Sequence, residues 1–147
     1  MAPLLFACAS VCLAAALALG TSATAGPPAD AKVCGLDSLQ GPYLFATHGW
    51  NIVGGVAQPK AIVEGINFNG DGTLVSPFAT VSINGTIVRS SGSPGTYTVN
   101  PDCTGTLTFT GGASYDIFVD RKGNELWMIQ TGGAVPAVFE GTATRLP

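Results

Sequence analysis

Polar and apolar residues alternate along much of the chain. Thr96-Tyr97-Thr98-Val99 and Thr106-Leu107-Thr108-Phe109 change character at every step. A period of two marks a strand with one buried face. Asn100-Pro101-Asp102, between these runs, carries turn chemistry: proline presets φ, and the Asn and Asp side chains bond local backbone. The same pattern predicts strands over 43–48, 61–68, 73–83, 96–100, 104–110, 114–120, 125–131 and 137–145, with a short return arm over 86–89. Asn69-Gly70-Asp71-Gly72 and Asn84-Gly85 read as hairpin turns. Gly111-Gly112, residues 121–124 and Gly132-Gly133 supply further breaks. Residues 49–60 read as the longest loop, placed to cover one end of the fold. Helix is expected to be absent, or limited to a turn near 35–40.

Eight or nine strands joined by hairpin-length connections predict an all-β fold. The expected form is a closed antiparallel up-and-down β-barrel of about eight strands, because closure removes exposed sheet edges. In the 110–114 region the hydrophobic pattern calls for a three-residue loop or a bulge. That choice is expected to pair Phe109 with Tyr115 and Leu107 with Ile117, whereas a two-residue turn mixes polar and apolar residues on each face.

The N-terminus has a different character. Residues 4–20 form an uncharged apolar run, and Ala23 and Ala25 stand in the small-residue spacing of a cleavage site before Gly26. We read 1–25 as a signal peptide, 26–33 as a flexible segment and 34–147 as the barrel domain. The product is expected to be secreted or periplasmic, with no membrane association after cleavage. The net charge of −3 and the lack of any basic cluster argue against nucleic acid as a partner. Cys8 and Cys12 leave with the leader, so an oxidising compartment makes a Cys34–Cys103 disulfide the expectation. In the loop-entropy picture such a bridge stabilises the fold by roughly 3–4 kcal/mol.

Several motifs recur in this order in a group of small exported proteins. They are Gly41-x-Tyr43-x-Phe45, the Phe68-to-Gly72 hairpin, Gly95-to-Val99 leading into Asp102-Cys103-Thr104-Gly105-Thr106, and the closing Gly141-Thr142-Ala143-Thr144-Arg145. In these the chain resembles the allene oxide cyclase-like barrel family, within the calycin-type barrels. The resemblance implies a barrel over nearly all of 34–147. It also implies a stack of Tyr43, from the first strand, on Arg145, from the last, with Tyr where lipocalins carry Trp. Related barrels include cofactor-free cyclases and proteins that steer the stereochemistry of coupling.

Candidate chemistry is sparse. Hairpin arithmetic from the 69–72 turn pairs Phe68 with Thr73 and sets Ile66 opposite Val75 and Ile62 near Ala79. It thereby places Glu64 on the apolar face with Ile62, Ile66 and Phe68. If that face is interior, Glu64 is a carboxylate in an apolar cavity, suited to general acid or base work. Otherwise it lies at a rim in water or pairs with an arginine. His48, the only histidine, and Trp50 are candidates to line a mouth and hold a ligand. Trp127 is a core residue, a residue packed on the barrel wall or a ligand contact, and Glu140 is a second candidate interior carboxylate. No metal site and no cofactor are expected. Asn84-Gly85-Thr86 is a glycosylation sequon, already explained as a turn.

Three functions compete. One is an exported barrel that binds a small apolar molecule in its interior. Another is a cofactor-free cyclase or isomerase using Glu64. The last is a structural barrel filled by its own side chains.

Overall fold

The computed structural model describes residues 33–147; the leader expected over 1–25 and the segment 26–32 lie outside the described residues. Nine strands follow a 3-10 turn at Leu36–Ser38: β1 (Gln40–Val53), β2 (Val56–Asn69), β3 (Thr73–Ile83), β4 (Thr86–Ser90), β5 (Ser93–Val99), β6 (Thr104–Phe109), β7 (Ser114–Val119), β8 (Glu125–Gly132) and β9 (Ala137–Arg145). Around the wall the order is β2-β1-β9-β8-β7-β6-β5-β3, and pairing of β2 with β3 closes the ring. The result is a closed antiparallel eight-stranded barrel with one extra strand, consistent with a calycin-like barrel. The extra strand, β4, pairs with the outer half of β3. It keeps the register that β5 keeps against the inner half, Ala79↔Ser90 and Ser76↔Ser93, so β4 and β5 form one return arm interrupted at Ser91-Gly92.

Residues 49–60 are not a loop. β1 and β2 pair without a break from Gln40↔Asn69 to Val53↔Val56. Gly54 and Gly55 both have positive φ, 57° and 81°. Two such residues make a tight turn whose twist suits a hairpin. Pro59, which made this stretch look irregular, lies just beyond the last β2–β3 pair, Lys60↔Ile83, where no ladder donor is needed.

Two expected registers change in detail. Phe68 pairs with Leu74 rather than Thr73, and an irregularity between Gly65 and Asn67 brings Ala79 opposite Glu64. The Phe78 ring lies against Gly65, where an added Cβ would stand 2.7 Å from it. Leu74, not the exposed Val75, therefore joins Ile62, Ile66 and Phe68 inside. At the β6–β7 connection, Phe109 N–H donates to the Ala113 carbonyl at 3.0 Å. The loop is thus three residues, 110–112, as expected. Its pairs are Leu107↔Tyr115 and Gly105↔Ile117, two residues from the expected ones. A shift of two keeps every side chain on its face, which is why the hydrophobic pattern gave the right faces and the wrong partners.

One end of the barrel is filled. Tyr43, Phe68 and Tyr97 form a chain of edge-to-face rings, with centroids 5.1 and 5.0 Å apart. Leu39, Leu74, Leu107, Val119, Leu126 and Ala143 are buried around them. Segment 34–39 lies across this end. The Tyr97 hydroxyl donates to the carbonyls of Leu36 and Leu39 at 2.9 and 3.0 Å, and Cys34 is bonded to Cys103. Cys103 has φ +73°, an unusual value for a residue with a side chain. Its turn repeats the construction of the 69–73 turn. In each, an Asp carboxylate accepts from the backbone and hydroxyl of a Thr two residues on, and an Asn amide donates to that hydroxyl.

The Tyr43–Arg145 stack is present. The guanidinium carbon lies 5.5 Å from the ring centroid, and Nε donates to the Tyr43 hydroxyl at 3.3 Å. Arg145 Nη2 also donates to the Gln40 carbonyl at 2.6 Å, joining β9 to the start of β1. The Tyr43 hydroxyl in turn donates to the Gly123 carbonyl.

Two outcomes follow. The Cys34→Ser/Cys103→Ser double variant lowers unfolding free energy by about 4 kcal/mol, from the 69-residue separation of the two cysteines; urea unfolding against the oxidised parent measures it. Tyr43→Phe leaves the buried Gly123 carbonyl without its partner and lowers stability by about 1–2 kcal/mol in the same assay.

Candidate functional site

The opposite end of the barrel is open. Strand parity decides what faces it. On β1 the odd residues Tyr43, Phe45, Thr47 and Asn51 point inward; on β2 the even residues Ile62, Glu64, Ile66 and Phe68 do. The side chains change along the barrel axis, from aromatic and aliphatic at the filled end to Thr47, Asn51, Lys60 and Glu64 toward the open one.

A cleft of about 250 Å³ enters there. Its walls include Lys60, Ile62, Glu64, Ala79, Val81 and Tyr115, with Phe109 and the 110–113 loop on one side. Glu64 is 7% exposed. Burial raises its carboxyl above the usual glutamate range; a hydrogen bond with Ser76 and the charge of Lys60 pull it down by less. Tyr115 is 2% exposed, packed edge-to-face against Phe45 at 5.8 Å. Burial first, and the Glu64 charge second, push its hydroxyl well above the usual phenol range.

Lys60 stands at the rim. Its ammonium lies 4.2 Å from the Phe139 ring centroid and donates to Gln130 Oε1 at 3.4 Å. Burial lowers its pKa, and the charge of Glu64 offsets part of that. Lys60 also borders a second, adjoining hollow with Asn51, Gln130 and the 133–135 turn. Next to Ile62, which it faces on β2, Thr47 Oγ1 is buried with no hydrogen-bond partner among the described residues, an expensive state for a hydroxyl.

The other residues expected to touch a ligand inside do not reach the interior. His48 and Trp50 occupy even positions of β1 and face outward, Trp50 being 48% exposed. Trp127 lies between the inward Leu126 and Met128 and is 46% exposed. Glu140 follows the inward Phe139 and faces solvent. These four are neighbours on the outer wall instead. Glu140 pairs with His48 on one side and Ile129 on the other, Val138 pairs with Trp50, and Trp127 packs against Phe118 at 6.1 Å. Glu64 and Glu140 therefore do not meet, since the wall separates them. The physical reason is parity: once Tyr43, Phe139 and Leu126 go inward, the adjacent residues cannot.

Lys60, Tyr115 and Thr47 were not picked out from sequence. Lys60 shares the parity of Ile62 and Glu64, but reading 49–60 as a loop hid it. Tyr115 follows from the Leu107↔Tyr115 pairing that the loop length permits. Comparison of the chain with protein-family models, curated proteins and solved structures gives no match.

A glutamate whose pKa is raised on folding binds its proton more tightly in the native state. Its contribution to stability is full below the unfolded value of about 4.3 and is lost as pH rises through the native value. Glu64→Gln removes that loss. The variant melts at the same temperature as the parent near pH 4 and at a higher one near pH 8, read by thermal unfolding at both pH values. A variant less stable than the parent at pH 8 contradicts the assignment.

Proposed function

We propose that this protein is a small-molecule binding barrel whose ligand enters the open mouth and rests against Glu64. The supporting observation is a buried carboxylate at the inner end of a cleft whose walls mix the apolar side chains of Ile62, Ala79, Val81 and Phe109 with Ser90, Ser93 and Thr110. A fold selected only for stability gains by replacing such a group with a hydrophobic residue. Retaining it, with Tyr115 beside it and Thr47 unsatisfied next to Ile62, is the pattern of a pocket with a few placed polar groups. The cleft suits a small ligand with an apolar body. The filled half of the barrel serves as the floor.

The allene oxide cyclase-like resemblance supports a second reading, a cofactor-free cyclase or isomerase. A carboxyl whose pKa is raised by burial is suited to donating a proton or hydrogen bond to a substrate held in a dry cavity. Glu64 would be its catalytic residue. His48, Trp50, Trp127 and Glu140, on the outer wall, take no part in either reading. The Cys34–Cys103 bridge fits a non-reducing, extracellular-like compartment, and export through the N-terminal leader remains part of the proposal.

The neutral fluorophore N-phenylnaphthylamine tests the binding reading. It is expected to bind saturably at one site. Ala113→Trp, which fills the mouth, abolishes binding, whereas Trp127→Ser on the outer wall leaves it intact. Absence of saturable binding, or binding lost with Trp127→Ser and kept with Ala113→Trp, overturns the reading.

A further inference from the structure

The charges in the mouth are few and ordered by depth. Among the residues lining the cleft, Glu64 and Lys60 are the oppositely charged pair. They lie on the same face of β2, four residues apart, so their Cα atoms are about 13 Å apart along the strand. Glu64 is the inner one, opposite Phe45 on β1 and Ala79 on β3. Lys60 is the outer one, opposite Gly49 and Ile83.

The two side chains do not use each other as contact partners. The Lys60 ammonium is held at the rim by the Gln130 amide oxygen and the face of Phe139. The polar neighbour of Glu64 is Ser76, a neutral group, whose hydroxyl donates to the Phe78 carbonyl at 3.2 Å. Beside Glu64 the Tyr115 hydroxyl has no hydrogen bond to any described residue, although its residue is nearly fully buried. An acceptor and an unengaged hydroxyl therefore sit at the inner end, and a cation at the outer end.

This arrangement discriminates by charge pattern. A ligand with a single positive charge gains at Glu64 and is repelled on passing Lys60. A ligand with a single negative charge gains at Lys60 and is repelled by Glu64 once that group ionises. A ligand with both charges, in the right order, gains at both ends. At the buried Glu64 this gain is larger than in water, and at the partly exposed Lys60 it is weaker. The apolar wall between the two residues, Ile62 with Ala79 and Val81 across the sheet, suits a methylene or ring spacer.

We propose that the mouth is built for a bipolar ligand: an ammonium group directed inward to Glu64 and Tyr115, an anionic group retained at the rim by Lys60, and an apolar spacer between them. This rests on the binding reading above and narrows it to a ligand class.

Displacement of N-phenylnaphthylamine from the wild-type protein by four matched compounds tests the class. They are ε-aminocaproate, caproate, hexylamine and hexanol, which share one chain and differ only in their end groups. The expected result is that ε-aminocaproate displaces the probe at a concentration roughly tenfold lower than caproate or hexylamine, an effect of about 1.4 kcal/mol. Glu64→Gln then removes the advantage of an amino group, making ε-aminocaproate equal to caproate. Lys60→Met removes the advantage of the acid, making it equal to hexylamine. Because the first comparison uses only the wild-type chain, a variant that fails to fold does not decide the outcome. If all four compounds displace the probe equally, or hexanol is best, the bipolar class is wrong and the binding reading stands. If the fluorophore itself finds no saturable site, the binding reading fails.

Discussion

The ring stack at the filled end is the interaction on which the rest of the molecule depends. An eight-stranded barrel encloses a space only just wide enough for side chains to fill it. Here Tyr43, Phe68 and Tyr97 take up the lower half as edge-to-face rings, and each tyrosine uses its hydroxyl to hold chain that lies outside the wall. Tyr97 holds segment 34–39, and Tyr43 holds the turn at Gly123. Gly123 is fixed by close approach as well as by φ: a Cβ there would stand 2.1 Å from the Ser38 carbonyl oxygen. The disulfide closes the same lid from the other side. The opposite end carries groups that do not favour folding.

Those groups are Glu64, Lys60, Tyr115 and Thr47. Each carries a polar atom into a space where desolvation opposes its charged or unpaired state. The long hairpin of β1 and β2 and the β3–β4 arm rise past the shorter strands β6 and β7, so the mouth has uneven walls. Lys60 is on one of the long strands, and its ammonium reaches Phe139 and Gln130 on two others. Between these groups the walls combine Ile62, Ala79, Val81 and Phe109 with the hydroxyls of Ser90, Ser93 and Thr110.

Much of the fold was legible in the sequence. Strand period, turn residues and the Cys34 and Cys103 pair sufficed for the barrel and its bridge. Tyr43 and Arg145 met as the calycin resemblance implied. What was lost came from local exceptions to regularity. Gly49, the Gly54-Gly55 pair and Pro59 interrupt the alternation of β1 and β2 without breaking the hairpin, and reading 49–60 as a loop concealed Lys60. The irregularity beside Gly65 depends on Phe78 occupying the space of a missing side chain, a tertiary fact that no period reveals. Glu64 falls on the correct face because β2 keeps its own alternation with Ile62, Ile66 and Phe68, although its partner on β3 lies two residues from the expected one. His48, Trp50, Trp127 and Glu140 were chosen for their chemistry rather than their parity. The alternation that put Tyr43 and Phe139 inside also put them out.

The central claim is that the open mouth holds a desolvated carboxylate at its inner end. A carbon-detected NMR titration of the Glu64 side-chain carboxyl tests it most directly. The account predicts a midpoint above the usual glutamate range, a midpoint that falls when Ser76→Ala is reversed to the parent serine, and broadening or shift of this resonance when a ligand fills the mouth. A carboxyl that titrates like an exposed glutamate and does not respond to ligands in the mouth contradicts it.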